Sequence, residues 1–213
     1  HYYLQVVAAR PDSPASRAGL IPGDFIRTID GQTTRRLSAL EGSRRLRGEP
    51  GTSVTLSIIR GNRSEPYDLE LTRQRFTDSA VATRMLDERF GYIRVTRFSA
   101  GASDELATAV ADLLTDGIIA LLVDVRSTAG GSYEEGIAAA RLFVGSGTLL
   151  RRTEHGDQQM EVLATAGTEA VDTPLVLLTD LGTAHAAELF VAGLSSVDRA
   201  DTVGQRTAGR ASL

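Results

Sequence analysis

Few side chains in this sequence can carry out covalent chemistry, and their scarcity narrows the options. The 213 residues include no cysteine, and all 23 Lys+Arg residues are arginine. Without cysteine there is no thiolate nucleophile, disulfide or zinc–thiolate site. Without lysine there is no lysine general base, Schiff base or P-loop lysine, and arginine, which stays protonated, does not substitute. The three histidines are His1, His155 and His185. No helical or loop spacing gathers them around a metal, so neither a metal nor another cofactor is expected. His185 stands at the start of a predicted helix, and Ser195 and Ser196 lie about three turns further along it. By helical rise that is roughly 15 Å, too far for His185 to act as their base.

The elements that position these residues fall into two textures. In the first, Leu4 to Ala8 predicts a strand, broken by Pro11-Asp12-Ser13-Pro14. A short helical turn over 15–18 stops at Gly19, and Phe25 to Ile29 predicts a strand ending in the tight turn Asp30-Gly31. Ser38-Ala39-Leu40-Glu41 has the spacing of a capping box and predicts a helix to about Leu46, closed by Gly48. Val54 to Arg60 and Tyr67 to Thr72 predict a strand pair turned at Gly61-Asn62.

After about Phe76 the pattern changes. Gly91 to Val95 predicts a short strand, and Ser103 is placed to cap a helix from Asp104 to about Thr115. The apolar run Ile118 to Val125 predicts a strand buried on both faces. A glycine-bearing turn over 127–132 leads into a helix over about 133–144. Leu175 to Leu178 predicts another buried strand, followed by a helix from about Ala186 to Leu194. Alternating strands and helices imply an α/β fold for this half, α+β for the whole chain.

Two sets of ordered motifs carry a family resemblance. Ser13-Pro14-Ala15, Ala18-Gly19-Leu20, Gly23-Asp24-Phe25-Ile26, Ile29-Asp30-Gly31, Leu46-Arg47-Gly48 and Gly51-Thr52 resemble the bacterial, circularly permuted PDZ domain, assigned to residues 1–76. That resemblance implies binding of peptide or protein C-termini by strand addition beside the helix from Ser38, with Leu40 and Ser43 as candidate groove contacts. Leu40 as a simple core residue is the competing reading. The family's carboxylate-binding loop is expected just before Tyr2.

Residues 77–213 resemble the core of the C-terminal processing peptidases, a crotonase-like or ClpP-like α/β fold. The resemblance rests on Gly91-Tyr92-Ile93, Phe98, Asp124-Val125-Arg126-Ser127-Thr128-Ala129-Gly130-Gly131, Pro174 to Leu178 and Glu188. In that family an Asn-Pro pair stands where this chain has Thr128-Ala129, and the following glycines serve the oxyanion hole. The resemblance therefore implies Gly130, Gly131 and Ala186 as oxyanion donors, although two glycines also suit a plain strand-to-helix turn.

The nucleophile segment departs from the family. Its Ser-Ala-Ser-Ala-Ser-Glu reads here Thr183-Ala184-His185-Ala186-Ala187-Glu188, so the Glu188 register puts His185 at the nucleophile's position. The general-base lysine, 25 residues on, aligns with Arg210, and a third polar position with Ser196. A Ser/Lys dyad needs an attacking hydroxyl and a neutral amine, and neither residue provides one. Arg210 offers instead a bidentate contact to a peptide carboxylate.

The resemblance thus implies a peptide-binding homologue without the family's chemistry, a pseudoprotease. Two alternatives stay open: an active serine endopeptidase with an unconventional site, and a non-enzymatic assembly or ligand-binding scaffold, with a homo-oligomer possible. The net charge of -4 and the scattered arginines give no stripe for nucleic acid. No apolar run reaches the ~18 residues of a membrane span. Periplasmic or secreted localisation follows from the resemblance alone; no signal peptide is visible, and the chain opens inside what reads as a strand. Relatives also carry further strands after the lysine motif.

Overall fold

The computed structural model describes residues 3–61, 65–76, 79–153, 159–164 and 170–211. It divides into two compact units, His1–Asp78 and Ser79–Leu213.

The first unit runs β1 (Leu4–Gln5), α1 (Pro14–Arg17), β2 (Phe25–Ile29), β3 (Gln32–Thr33), α2 (Ala39–Leu46), β4 (Ser53–Ile59) and β5 (Tyr67–Thr72). Its antiparallel sheet has the order β1-β2-β4-β5, with β3 paired to β2. Asp30 and Gly31 both take positive φ (49° and 74°), as a two-residue hairpin between right-twisted strands requires. Alternation in β4 turns Val54, Leu56 and Ile58 inward onto Leu20, Ile26, Ile29 and Leu71. Buried Asp24 holds Arg60 with two bonds of 2.7 Å, which pins the turn before β2 to the end of β4.

The capping box at α2 is half built. Ser38 Oγ accepts from Glu41 N at 3.1 Å, while the Glu41 carboxylate turns to Arg45 at 3.1 Å. Only Gly42 of α2 is buried, and Leu4 occupies the space its missing Cβ leaves. The strand expected over 4–8 is shorter in the structure. After β1 only Val6 keeps backbone bonds, to Asp24 and Gly23, before the chain turns away toward α1.

The second unit runs β6 (Val81–Leu86), β7 (Phe90–Val95), α3 (Ala102–Thr115), β8 (Ala120–Asp124), α4 (Tyr133–Arg141), β9 (Thr148–Thr153), β10 (Gln159–Leu163), β11 (Leu175–Thr179), α5 (Ala186–Ser195) and β12 (Asp201–Gly204). The main sheet has the order β12-β11-β8-β7-β6, parallel except for the β6–β7 hairpin. β9 and β10 form a separate antiparallel ribbon. Ile93, Val95, Leu121, Val123, Leu175 and Leu177 fill the centre of the core against α3, α4 and α5.

The start of α3 differs from the sequence expectation. Gly101, at φ 84°, is the N-cap, and Ser103 lies inside the first turn. The exposed N–H groups of Gly101 and Ser103 are satisfied by Glu135 of α4, at 2.8 and 2.9 Å. A carboxylate from another helix has replaced the local hydroxyl cap. Among the described residues no helix is long and apolar enough to cross a membrane.

Candidate functional site

In a parallel sheet the turns leaving the carboxyl ends of central strands are where loops can converge on a ligand. Here two such turns meet: 125–132, between β8 and α4, and 180–185, between β11 and α5. Asp180 joins them, accepting from Ser127 N at 2.7 Å and Ser127 Oγ at 3.0 Å. Ala184 N donates to Thr128 O at 3.0 Å, and Thr183 Oγ1 to Val125 O at 2.8 Å.

His185 closes the second turn as N-cap of α5, with φ 55° and ψ -118°. This backbone is strained for any residue with a Cβ and persists only because its surroundings fix it. The fixing group is Glu188. Its buried carboxylate accepts from His185 N at 3.2 Å, from Gly209 N at 2.5 Å and from Arg210 N at 2.7 Å. The segment leaving β12 is held to the same turn by Ala208 N, which donates to Thr183 O at 2.9 Å. The structure therefore brings the backbones of His185 and Arg210 together.

The first turn is shaped for close approach. Phe98 N donates to Gly130 O, and Ser132 N to Phe98 O, both at 2.8 Å. A Cβ on Gly131, which has φ 123°, would sit 2.0 Å from Phe98 O. Phe98 in turn packs in a tilted arrangement, ring centroids 5.6 Å apart, against Phe190 of α5. Further along, a Cβ on Gly136 of α4 would sit 2.4 Å from Ala186 O, so α4 can touch the first turn of α5 only through glycine. Among the described residues, the N–H groups of Gly130 and Gly131 bond to no protein acceptor, and Ala186 N–H is one of the orphan donors at a helix start.

Arg94 supports this turn from beneath. Its guanidinium donates to Asp124 O at 2.8 Å and to Thr128 Oγ1 at 3.0 Å, and also to Val95 O and Arg126 O. Burial pulls its pKa below the usual arginine range, against the field of Asp124. Burial also opposes ionisation of Asp124. Its bonds to the side chain and backbone N–H of Arg126 and to Tyr92 outweigh that and hold the carboxyl below the ordinary carboxylate range. Burial, together with the bond to Asp124, pushes the Tyr92 phenol up.

Ser196 is not brought to this cluster. It caps the opposite end of α5, one full helix away, and its Oγ donates to Leu149 O at 2.8 Å. Ser195 Oγ pairs with Thr202 Oγ1 at 3.2 Å. Of the three histidines, His1 and His155 lie outside the described residues. The roles of Glu188, Arg94, Asp180 and Gly136 were not anticipated as site-forming. A signal existed for Gly136, a glycine amid the helix-forming run 133–141.

The first unit carries its own candidate site, a largely apolar cavity of about 550 Å³ lined in part by Val6, Leu20, Leu46, Arg47, Leu56 and Arg73. It lies at the C-terminal end of α2. Leu40, 63% exposed, and half-buried Ser43 are on α2 but do not line it.

A small antiparallel unit with an apolar cavity beside a helix, and a parallel-sheet unit with a glycine turn facing a strained strand-to-helix turn, together define a PDZ domain and an α/β peptidase core. Sequence comparison agrees. The PDZ domain family matches residues 5–60, and peptidase family S41 matches residues 89–213. The chain belongs to peptidase family S41. It is 37% identical over 211 residues to the carboxyl-terminal-processing protease of Synechocystis sp., covering 97% of this chain and 49% of that protein. It is 32% identical to the chloroplastic carboxyl-terminal-processing peptidase 2 of Arabidopsis thaliana, covering 99% and 42%. The solved structure of the photosystem II D1 C-terminal processing protease superposes with a TM-score of 0.88 at 28% identity, covering 98% of this chain and 58% of that one. The chain thus spans about half the length of the curated relatives it matches.

Proposed function

We propose that this chain is a pseudoprotease: it captures exposed peptide C-termini through its PDZ unit and does not cleave them. One observation carries the reading. The strained turn and its Glu188 anchor are kept, while the side chains they present are an imidazole and a guanidinium instead of a hydroxyl and an amine. A Ser/Lys mechanism requires an alkoxide precursor and a base that can accept its proton. His185 has no hydroxyl, and the guanidinium of Arg210 carries N–H donors only, with no lone pair to take a proton. With Gly130, Gly131 and Ala186 as the remaining donors, the core is equipped to hold an acyl oxygen or carboxylate without attacking it. A periplasmic or extracellular working compartment is part of the same proposal, and its support is the resemblance to processing proteases alone.

The test is a peptide-cleavage assay by mass spectrometry on the protein and on the double variant His185→Ser/Arg210→Lys. The parent is expected to leave peptides intact and the double variant to gain slow hydrolysis. Cleavage by the parent, abolished by His185→Ala, would instead establish an active peptidase with an unconventional site.

A further inference from the structure

We infer that the PDZ cavity selects acidic peptide ends, with Arg47 and Arg73 as the specificity-determining residues. The inference rests on the capture reading above and deepens it. Among the described residues lining the cavity, Arg47 and Arg73 carry the only charges; the rest are apolar or neutral. Arg73 is held rigidly. Nε donates to Leu46 O at 2.9 Å, and Nη1 to Thr52 Oγ1 at 3.0 Å and Ser53 O at 2.8 Å. Nη2 reaches Arg45 O at 3.3 Å. Gly48 leaves the room, since a Cβ there would sit 2.7 Å from Arg73 Nε.

All these acceptors are neutral oxygens, so the Arg73 charge is fixed in place and not cancelled by a carboxylate among the described residues. Arg47 is exposed beside it and joins no ion pair among the described residues. The surroundings reinforce the sign. From 35 to 47 the sequence holds Arg35, Arg36, Arg44, Arg45 and Arg47 against the single acid Glu41, whose carboxylate is already engaged by Arg45. An apolar hollow with fixed guanidinium charge at its edge is complementary to a chain end with an apolar last side chain and carboxylates upstream of it. A neutral end gains the apolar contact alone, and a basic end meets like charge.

Fluorescence anisotropy with three fluorescein-labelled octapeptides tests this. All share a valine end and differ at two upstream positions, Asp/Asp, Ser/Ser or Arg/Arg. The acidic peptide should bind about tenfold tighter than the neutral one at low salt, with the gap shrinking at about 0.5 M salt. Arg47→Glu, on an exposed side chain, should erase the gap, and Arg73→Gln should reduce it. Equal binding of acidic and neutral peptides, or a gap that survives in both variants, overturns the inference while leaving capture standing. Displacement of the acidic peptide by decanoate at comparable concentration also overturns it, in favour of an acyl-chain ligand. Binding of none of the three peptides fails the capture reading itself.

Discussion

His185 and Arg210 stand 25 residues apart in the chain, yet their backbone N–H groups bond to the same oxygen, Oε2 of Glu188, at 3.2 and 2.7 Å. The carboxylate between them thus ties the two backbones to one point. Glu188→Ala leaves three donors, on His185, Gly209 and Arg210, without their acceptor. We expect it to lower unfolding free energy by about 2 kcal/mol, since bonds to charged groups are the stronger ones, while water can reach the exposed Gly209 and Arg210 once the carboxylate is gone. Glu188→Gln should recover part of the loss, because the amide oxygen still accepts. Hydrogen exchange at residues 185, 209 and 210 reads the effect directly; unchanged protection in Glu188→Ala would refute it.

The two glycines of the first turn should respond differently to the same substitution. Gly131→Ala combines a φ of 123° with a Cβ 2.0 Å from Phe98 O, and we expect a loss of at least about 3 kcal/mol or failure of the second unit to fold. Gly130→Ala meets nothing nearer than Arg97 Cβ at 3.8 Å, so a change within about 1 kcal/mol is expected. Thermal melts of the two variants side by side decide the matter, and similar losses would contradict the close approach at Phe98.

Asp124 gives a pH dependence with a definite sign. Its carboxyl is held below its unfolded value, so the stabilisation it provides is present above about pH 3.9 and is lost as pH falls through the lower folded value. Asp124→Asn should therefore be less stable than the parent at neutral pH, and the difference should narrow below about pH 4. Urea midpoints from pH 7 to 2.5 measure it. A constant gap across that range would remove the ionic contribution.

Arg94 is expected to resist the conservative change. Its fork reaches Asp124 O, Thr128 Oγ1, Val95 O and Arg126 O at once, which a lysine ammonium cannot span. Arg94→Lys should lower stability by about 2 kcal/mol and loosen the 124–128 turn, seen as faster exchange at Ala184 N, which donates to Thr128 O. Stability and exchange both matching the parent would show that charge alone suffices.

Local signals were readable in the sequence wherever one residue type answers one backbone demand. Asp30-Gly31 as a hairpin, Ser38 as the cap of α2, and β2, β5 and α5 all lie close to their predicted bounds. What the sequence concealed was set by distant partners. α3 is capped by Glu135, over 30 residues further along, so Ser103 looked like the natural cap and was not. β6 reads Val-Ala-Thr-Arg-Met-Leu with a mostly exposed middle, and becomes a strand by pairing with β7. β12 is short and fully exposed, and exists through its parallel register with β11. At the site, the Glu188 register singles out positions 185 and 210, and the structure brings their two backbones to that carboxylate. Glu188 served there only as a marker, because a carboxylate in a helix start resembles an ordinary first-turn acid until its long-range acceptor role is seen.

The backbone at His185 has a further consequence. A turn at φ 55° and ψ -118° suits glycine and burdens every other residue by about 1–3 kcal/mol. Relief of that burden is a stability reserve built into the turn. His185→Gly would relax the strain without touching the Glu188 tether, which uses only backbone N–H at that position. Engineering for robustness and engineering for hydrolysis therefore start from the same residue and pull it in opposite directions.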